Sequence, residues 1–429
     1  MRRERPRTVT TPTTKTPTRF GFASHLCCRE CGATAELGAS HACQECFGPM
    51  EVAYEFPALT RSHIEAGPLS IWRYADLLPV PPDVAASVNT EPGWTRLVST
   101  DRIARELGMT KLWVKDERGN PTHSFKDRVV AVALAAATEL GYKVLACPST
   151  GNLANAVAAA AARAGLRSVV LIPADLEPQK IAATAVYGGT LIAVEGTYDD
   201  VNRLASELAD EREDWAFVNV NVRPYYAEGS KTIGYEIAEQ LGWRLPEQIV
   251  VPVASGAQLV KIDKAFREFI ELGLVADTSY RVFGAQASGC APVAAAFRAG
   301  HEVVQPVRPS TAAKSLAIGN PADGPYVLDV VRRTGGAVCD VSDLEMVAGI
   351  RLLASEGIFG ETAAGVTLGV LRRLIAEGLL DPAAETVVIN SGDGLKTLDA
   401  VASPGGAPAT IKPSLAAFEA HEATLPGAA

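Results

Sequence analysis

A chain of 429 residues with 48% hydrophobic and 21% charged residues has the composition of a globular protein large enough for two or three domains. The formal net charge is −9, but the first twenty residues hold six basic side chains and one acidic, which leaves 34 basic against 48 acidic, about −14, for the body. That balance argues against a nucleic-acid backbone as the body's partner, since such a site needs a basic footprint. The longest apolar runs are too short and Ala-rich for a membrane span.

Residues 1–24 are rich in Thr, Pro and Arg and lack periodicity, which predicts a disordered tail. No apolar stretch of the kind found in secretory signals follows the arginines. Eight cysteines, four of them in paired spacings, point to metal ligation in a reducing, cytoplasmic setting rather than to a disulfide frame.

Cys28-Arg29-Glu30-Cys31 is followed, after eleven residues, by Cys43-Gln44-Glu45-Cys46. Gly32 and Gly48 permit the tight turns in which paired thiolates converge. The spacing predicts a zinc ribbon over residues 25–56, with Zn2+ held by Cys28, Cys31, Cys43 and Cys46. Four protein ligands close the shell, so the metal is expected to be structural. Cys27 is out of register with the two-residue gap.

A Pro-rich connection runs from Glu51 to about Trp94. Short β-branched runs then alternate with helical stretches, at 111–115, 144–147, 168–172, 191–194, 216–220, 248–253, 281–285 and 386–390. This order predicts an α/β fold with largely parallel strands, and the length suits two sheets. The predicted body spans 57–405, with a smaller subdomain over about 110–225, a larger one from the remainder, and a C-terminal extension over 406–429.

Asn120-Pro121-Thr122-His123-Ser124-Phe125-Lys126 leads straight into an Ala/Val-rich helical run. A cation at a helix N-terminus is disfavoured by the helix dipole, and a desolvated lysine there becomes an amine nucleophile. A surface charge cluster opening the helix is the plain alternative.

Three loops at strand ends have the character of ligand loops in open α/β sheets. Ser149-Thr150-Gly151-Asn152 offers hydroxyls and N–H groups suited to a carboxylate, and an amide able to donate to a phenolate oxygen. Ala254-Ser255-Gly256-Ala257-Gln258 sets small residues at a helix start, as a phosphate seat requires. Asn390-Ser391-Gly392-Asp393-Gly394 places the Ser391 hydroxyl where a ring nitrogen could meet it, with Asp393 as the competing carboxylate. Capped helix starts and tight turns would produce the same patterns.

Taken in order, these residues resemble the threonine synthases, pyridoxal-phosphate enzymes of the tryptophan-synthase-β type, in the branch that carries a zinc ribbon. Further stretches carry the resemblance: Arg-Pro-Tyr-Tyr-Ala-Glu-Gly-Ser-Lys-Thr at 223–232, Lys-Ser-Leu-Ala-Ile-Gly-Asn-Pro at 314–321, Glu-Gly-Ile-Phe-Gly-Glu-Thr-Ala at 356–363 and Gly-Asp-Gly-Leu-Lys-Thr at 392–397. The resemblance implies two open α/β domains of the fold type II class behind the small ribbon. It implies that Lys126 holds pyridoxal 5'-phosphate covalently, that Asn152 meets the phenolic oxygen, and that Ser149 and Thr150 help hold the substrate carboxylate. The 254–258 loop would then hold the cofactor phosphate, and Ser391 would face a near-neutral pyridine nitrogen.

The implied reaction converts O-phospho-L-homoserine and water to L-threonine and phosphate. Asn221, Arg223 and Lys231, after the 216–220 strand, are the candidates for the substrate phosphate, with solvated surface charges as the plain alternative for the two cations. Expected partners are that small molecule and a second copy in a homodimer, with no nucleic acid and no membrane. The chain departs from the family pattern at Ala257 and Val260, where relatives carry Ser and Thr, and at Ser391, where Thr is usual. Each hydroxyl lost from a phosphate seat would cost roughly 1.5–3 kcal/mol had it bonded the dianion. A diverged replacement or elimination enzyme of the same cofactor class, resembling cysteate synthase or threonine dehydratase, and a non-catalytic zinc-ribbon binding protein are the alternative readings.

Overall fold

The computed structural model describes residues 17–84, 88, 90–149, 151–176, 178–401 and 409–424. The ribbon comes first: β1 (Ala23–Cys28), β2 (Thr34–Ala35) and β3 (Met50–Tyr54) form an antiparallel sheet in the order β2-β1-β3. Leu26, Met50 and Val52 are buried and join the body's core. Placement begins earlier than the expected end of the tail. Phe20 is buried with its ring 5.2 Å from that of Tyr225, so the segment from 17 to 24 packs instead of trailing in solvent. Residues 1–16 of the predicted tail lie outside the described residues.

The body strands are β4 (Arg96–Ser99), β5 (Leu112–Asp116), β6 (Val144–Pro148), β7 (Arg167–Pro173), β8 (Thr190–Val194), β9 (Trp215–Phe217), β10 (Gln248–Pro252), β11 (Arg281–Ala287), β12 (Val338–Val341) and β13 (Thr386–Asn390). They form two sheets, β12-β11-β10-β13-β5-β4 and β8-β7-β6-β9, parallel throughout except for β4 against β5. Parallel strands covered by helices on both faces are apolar along their whole length, and β6 and β10 are buried at every position.

The boundary of the smaller lobe differs from the prediction. β5 pairs with β13, Val114 opposite Val388, and so lies inside the six-stranded sheet. The smaller lobe therefore starts with the helix Lys126–Glu139, not near residue 110. A continuous apolar run marks a buried strand but says nothing about which sheet receives it. β4 and β12 were not predicted; each has four residues and lies at a sheet edge.

Two buried ionic clusters join the parts. The Arg128 guanidinium donates to Glu117 Oε2 at 2.6 Å and to Glu236 Oε2 at 2.7 Å, and Lys115 Nζ donates to Glu236 Oε2 at 2.6 Å. Charges this deep persist only when paired and hydrogen-bonded, and this pairing pins the helix two residues beyond Lys126. Lys231, Lys261 and Lys264 meet Glu51, Glu228 and Glu268 in the second cluster, which anchors β3 to the body. In the extension, the helix Leu415–Glu422 has no buried residue, and residues 402–408 and 425–429 lie outside the described residues. No helix among the described residues is long and apolar enough to cross a membrane.

Candidate active site

A cavity of about 330 Å³ opens between the two lobes, and Lys126 lies in its wall. The turn that presents the lysine is fixed locally: the Asp127 carboxylate accepts from Thr122 N at 2.7 Å and Thr122 Oγ1 at 2.9 Å. The same turn is stitched to the C-terminal loop, with Phe125 N donating to Ser391 O at 3.0 Å and Asp393 N to His123 O at 3.0 Å. These two bonds bring Lys126 and Ser391, 265 positions apart, to one cavity.

From the other side comes the helix Arg223–Glu228. A Cβ at Gly229 would lie 2.6 Å from Arg128 O, so only glycine allows this approach. Tyr226 is thereby placed with its Oη accepting from Lys126 Nζ at 3.0 Å. The Lys126 side chain is half-buried, open toward the cavity and crowded by protein on its other sides. That desolvation lowers its pKa to about 8, against the opposing influence of Glu361 and Cys147.

Glu361 lies in the 356–363 stretch that resembles the family, but the sequence alone gives it no role in the site. Its carboxylate is 2% exposed and accepts from Asn152 Nδ2 and from Ser391 Oγ, both at 2.8 Å. Glycine at 392 makes room, since a Cβ there would lie 2.8 Å from that carboxylate. Asp393, the competing carboxylate, instead accepts from Leu395 N at 2.8 Å and caps the following turn.

The 254–258 loop lines the cavity at the start of the helix Ala257–Glu271. Gly256 has φ +101°, and a Cβ there would lie 2.7 Å from Val327 Cγ2, so the tight loop depends on glycine. Gln258 Nε2 is buried and has no protein partner. A buried amide donor without a partner beside helix N–H groups is the chemistry an anion satisfies. Ser315 Oγ, on the cavity wall, is likewise unpartnered, and Asn320 lines the wall nearby; both fall in the 314–321 stretch and were not assigned.

Of the remaining expected residues, Ser149 lines the cavity, but its Oγ accepts from Gly151 N at 3.1 Å and Ala154 N at 2.9 Å and so caps a helix start. Thr150 lies outside the described residues. The three substrate-phosphate candidates separate. Arg223 lines the cavity and donates to Asp323 Oδ2 at 2.6 Å. Asn221 does not line it, and donates to Trp215 O at 3.0 Å. Lys231 also lies away from it: its Nζ is 2.8 Å from Glu228 Oε2 and donates to Leu77 O at 2.8 Å. The expected 216–220 strand ends at Phe217, the turn that follows carries Asn221 away from the cavity, and Lys231 opens a separate helix, Lys231–Gln240.

A sequence model described as pyridoxal-phosphate dependent enzyme matches residues 88–392. Threonine synthase of Methanocaldococcus jannaschii is 35% identical over 392 residues, covering 90% of this chain and 96% of that protein. The chain belongs to the threonine synthase family of pyridoxal-phosphate-dependent enzymes. Threonine synthase of Methanosarcina acetivorans is 36% identical over 378 residues, 87% of this chain and 92% of that one. Among solved structures, processed threonine deaminase isoform 2 from Solanum lycopersicum superposes with TM-score 0.60 at 21% identity, covering 76% of this chain and 92% of its own. Maize serine racemase does so with TM-score 0.60 at 22% identity, covering 79% and 94%. These structures share the fold type II architecture. As an enzyme of the threonine synthase family, the chain is not the non-catalytic binder considered above.

The cavity fits the family's cofactor: a depressed lysine, an unpartnered donor beside a glycine-dependent loop, and a polar floor of Asn152, Glu361 and Ser391. The ribbon fits a metal. The Sγ atoms of Cys28, Cys31, Cys43 and Cys46 all lie within 4.8 Å of one another. Glu30 N donates to Cys28 Sγ and Glu45 N to Cys43 Sγ, both at 3.4 Å, as expected of thiolates held in paired turns. A Cβ at Gly48 would lie 3.0 Å from Cys28 Sγ.

Proposed function

We propose that this threonine synthase family member converts O-phospho-L-homoserine and water to L-threonine and phosphate. The observation that carries the reading is the desolvated Lys126 amine, 3.0 Å from Tyr226 Oη, in a cavity whose only other Lys or Arg side chain among the described residues is Arg223. Pyridoxal phosphate supplies the electron sink for breaking the substrate's Cα–H and Cβ–H bonds. Lys126 holds it, and its amine, with a pKa lowered to about 8, takes and returns protons at Cα, Cβ and Cγ on one face. The 254–258 N–H groups and Gln258 Nε2 receive the cofactor phosphate. Asn152 orients the ring through its phenolic oxygen, and Ser391 faces the ring nitrogen.

Arg223 receives the phosphate that leaves Cγ. Asn221 and Lys231 drop out of this role, since each is bonded elsewhere. Ser149 and Thr150 remain the proposed carboxylate side. The four ribbon cysteines hold one zinc, which stabilises the fold without touching substrate. The enzyme acts in the cytoplasm, as a homodimer.

The deciding experiment measures phosphate release and threonine formation from O-phosphohomoserine beside O-phosphoserine and threonine as substrates. Turnover confined to O-phosphohomoserine is expected. Preference for either of the others would assign the chain to a diverged replacement or elimination enzyme. Lys126→Ala should abolish turnover together with the visible absorbance of the bound cofactor.

A further inference from the structure

The ribbon is not remote from the cavity. The segment between its two cysteine pairs lies against the helix Arg223–Glu228, where Gly38 O accepts from Tyr225 Oη at 3.1 Å. Three residues on, His41 lines the cavity together with Arg223, Asn202 and Ser206. Its half-buried imidazole is close enough to Arg223 for the two to interact, which puts a ring capable of N–H donation near that arginine.

The first cysteine pair reaches the same place. Arg29, between Cys28 and Cys31, is 3.3 Å from Asp323 Oδ1, while Arg223 holds Asp323 Oδ2 at 2.6 Å. The Arg29 guanidinium stacks on the Tyr326 ring at 3.4 Å, and Tyr326 Oη donates to Glu30. Asp323 is 4% exposed, and its N–H donates to Ser255 O at 2.8 Å, within the proposed cofactor-phosphate loop. One buried carboxylate is thus shared by two guanidiniums, one on each oxygen, and Arg29 also lies 3.8 Å from Glu51 Oε2. Without Arg29, both oxygens of Asp323 would be free to engage Arg223, the only arginine that lines the cavity among the described residues.

We propose that the ribbon completes the substrate site: His41 donates to the departing phosphate beside Arg223, and Arg29 is a positioning residue that occupies one oxygen of Asp323, so that Arg223 keeps donors free for that phosphate. This rests on the proposed reaction for the identity of the phosphate, and it makes the module a determinant of specificity for substrates with a distal phosphate.

The test titrates inorganic phosphate into the cofactor-loaded protein by calorimetry, and measures KM and kcat for O-phosphohomoserine, with metal content and melting temperature recorded for each variant. His41→Ala should weaken phosphate binding and raise KM by about tenfold, the loss expected of one hydrogen bond to a charged group, while kcat falls far less. Arg29→Ala should weaken both with His41 in place, and Arg29→Lys should recover most of the loss. If alanine at 41 disturbs the ribbon, His41→Phe, which keeps bulk without a donor, decides in its place. Values within about twofold of wild type for His41→Phe and Arg29→Ala, in folded and metal-replete protein, would overturn the inference, since a lost charged contact costs more than that. A wild-type protein that ignores O-phosphohomoserine while its phosphate binding still depends on His41 and Arg29 would refute the proposed reaction but leave the subsite standing.

Discussion

Ser391 Oγ donates to Glu361 Oε1 at 2.8 Å, and Asn152 Nδ2 donates to the other oxygen of the same carboxylate at 2.8 Å. The two side chains proposed to meet the phenolic oxygen and the ring nitrogen of the cofactor thus share one buried anion. Ser391→Ala removes a hydrogen bond to a buried carboxylate worth about 1.5–3 kcal/mol, so rate or cofactor affinity should fall roughly tenfold to a hundredfold. Ser391→Asp would put a carboxylate at the ring nitrogen and should raise transamination side products at the expense of threonine. A silent Ser391→Ala beside a strongly impaired, spectrally altered Glu361→Gln would move the ring-nitrogen partner from Ser391 to Glu361.

The depressed pKa of Lys126 sets a pH dependence that is measurable before any turnover. The amine is neutral only above about 8, so uptake of pyridoxal phosphate by cofactor-free protein should accelerate through that pH and then level off. Glu361 pulls the lysine's pKa upward, so Glu361→Gln should move the midpoint to lower pH. Stability follows the same linkage. The unfolded lysine keeps its proton up to 10.5, so between about 8 and 10.5 the unfolded chain binds more protons and cofactor-free protein gains stability as pH rises. A midpoint at 10.5 for cofactor uptake would refute the desolvated amine.

Metal analysis should find about one zinc per chain, as four converging thiolates require. Chelation should lower the melting temperature, because metal binding and folding of such a module are linked. Loss of zinc with no change in melting temperature would argue against a structural centre.

Lys231→Met should act on stability. It leaves Glu268 without the buried cation that lies 3.0 Å away, while Glu228 keeps Lys261 and Lys264, a loss of about 3–5 kcal/mol in urea or thermal unfolding. The KM for O-phosphohomoserine should stay put, whereas Arg223→Ala should raise it. A raised KM without destabilisation in Lys231→Met would return Lys231 to the substrate site.

What the sequence by itself determined is what local chemistry encodes. Cys28, Cys31, Cys43 and Cys46 announce their convergence through spacing and flanking glycines, and the structure brings their sulfurs within 4.8 Å. Lys126 sits at the start of an unbroken helical run that follows a Pro-Thr turn, and the 254–258 loop joins an apolar strand to an amphipathic helix. Turns, helix starts and strand ends are set by neighbours a few residues apart, so these positions could be named in advance. Tertiary structure alone decided which of them share a cavity. Whether β5 joined one sheet or the other depended on its pairing with β13, some 270 residues later. Lys231 and Arg223 look alike in sequence, yet one ammonium found two buried carboxylates while the other cation stayed at the cavity wall. Glu361 lies in a stretch that resembles the family and His41 between two cysteine pairs, yet neither reveals its role locally, because what makes them part of a site is the set of distant side chains that pack against them.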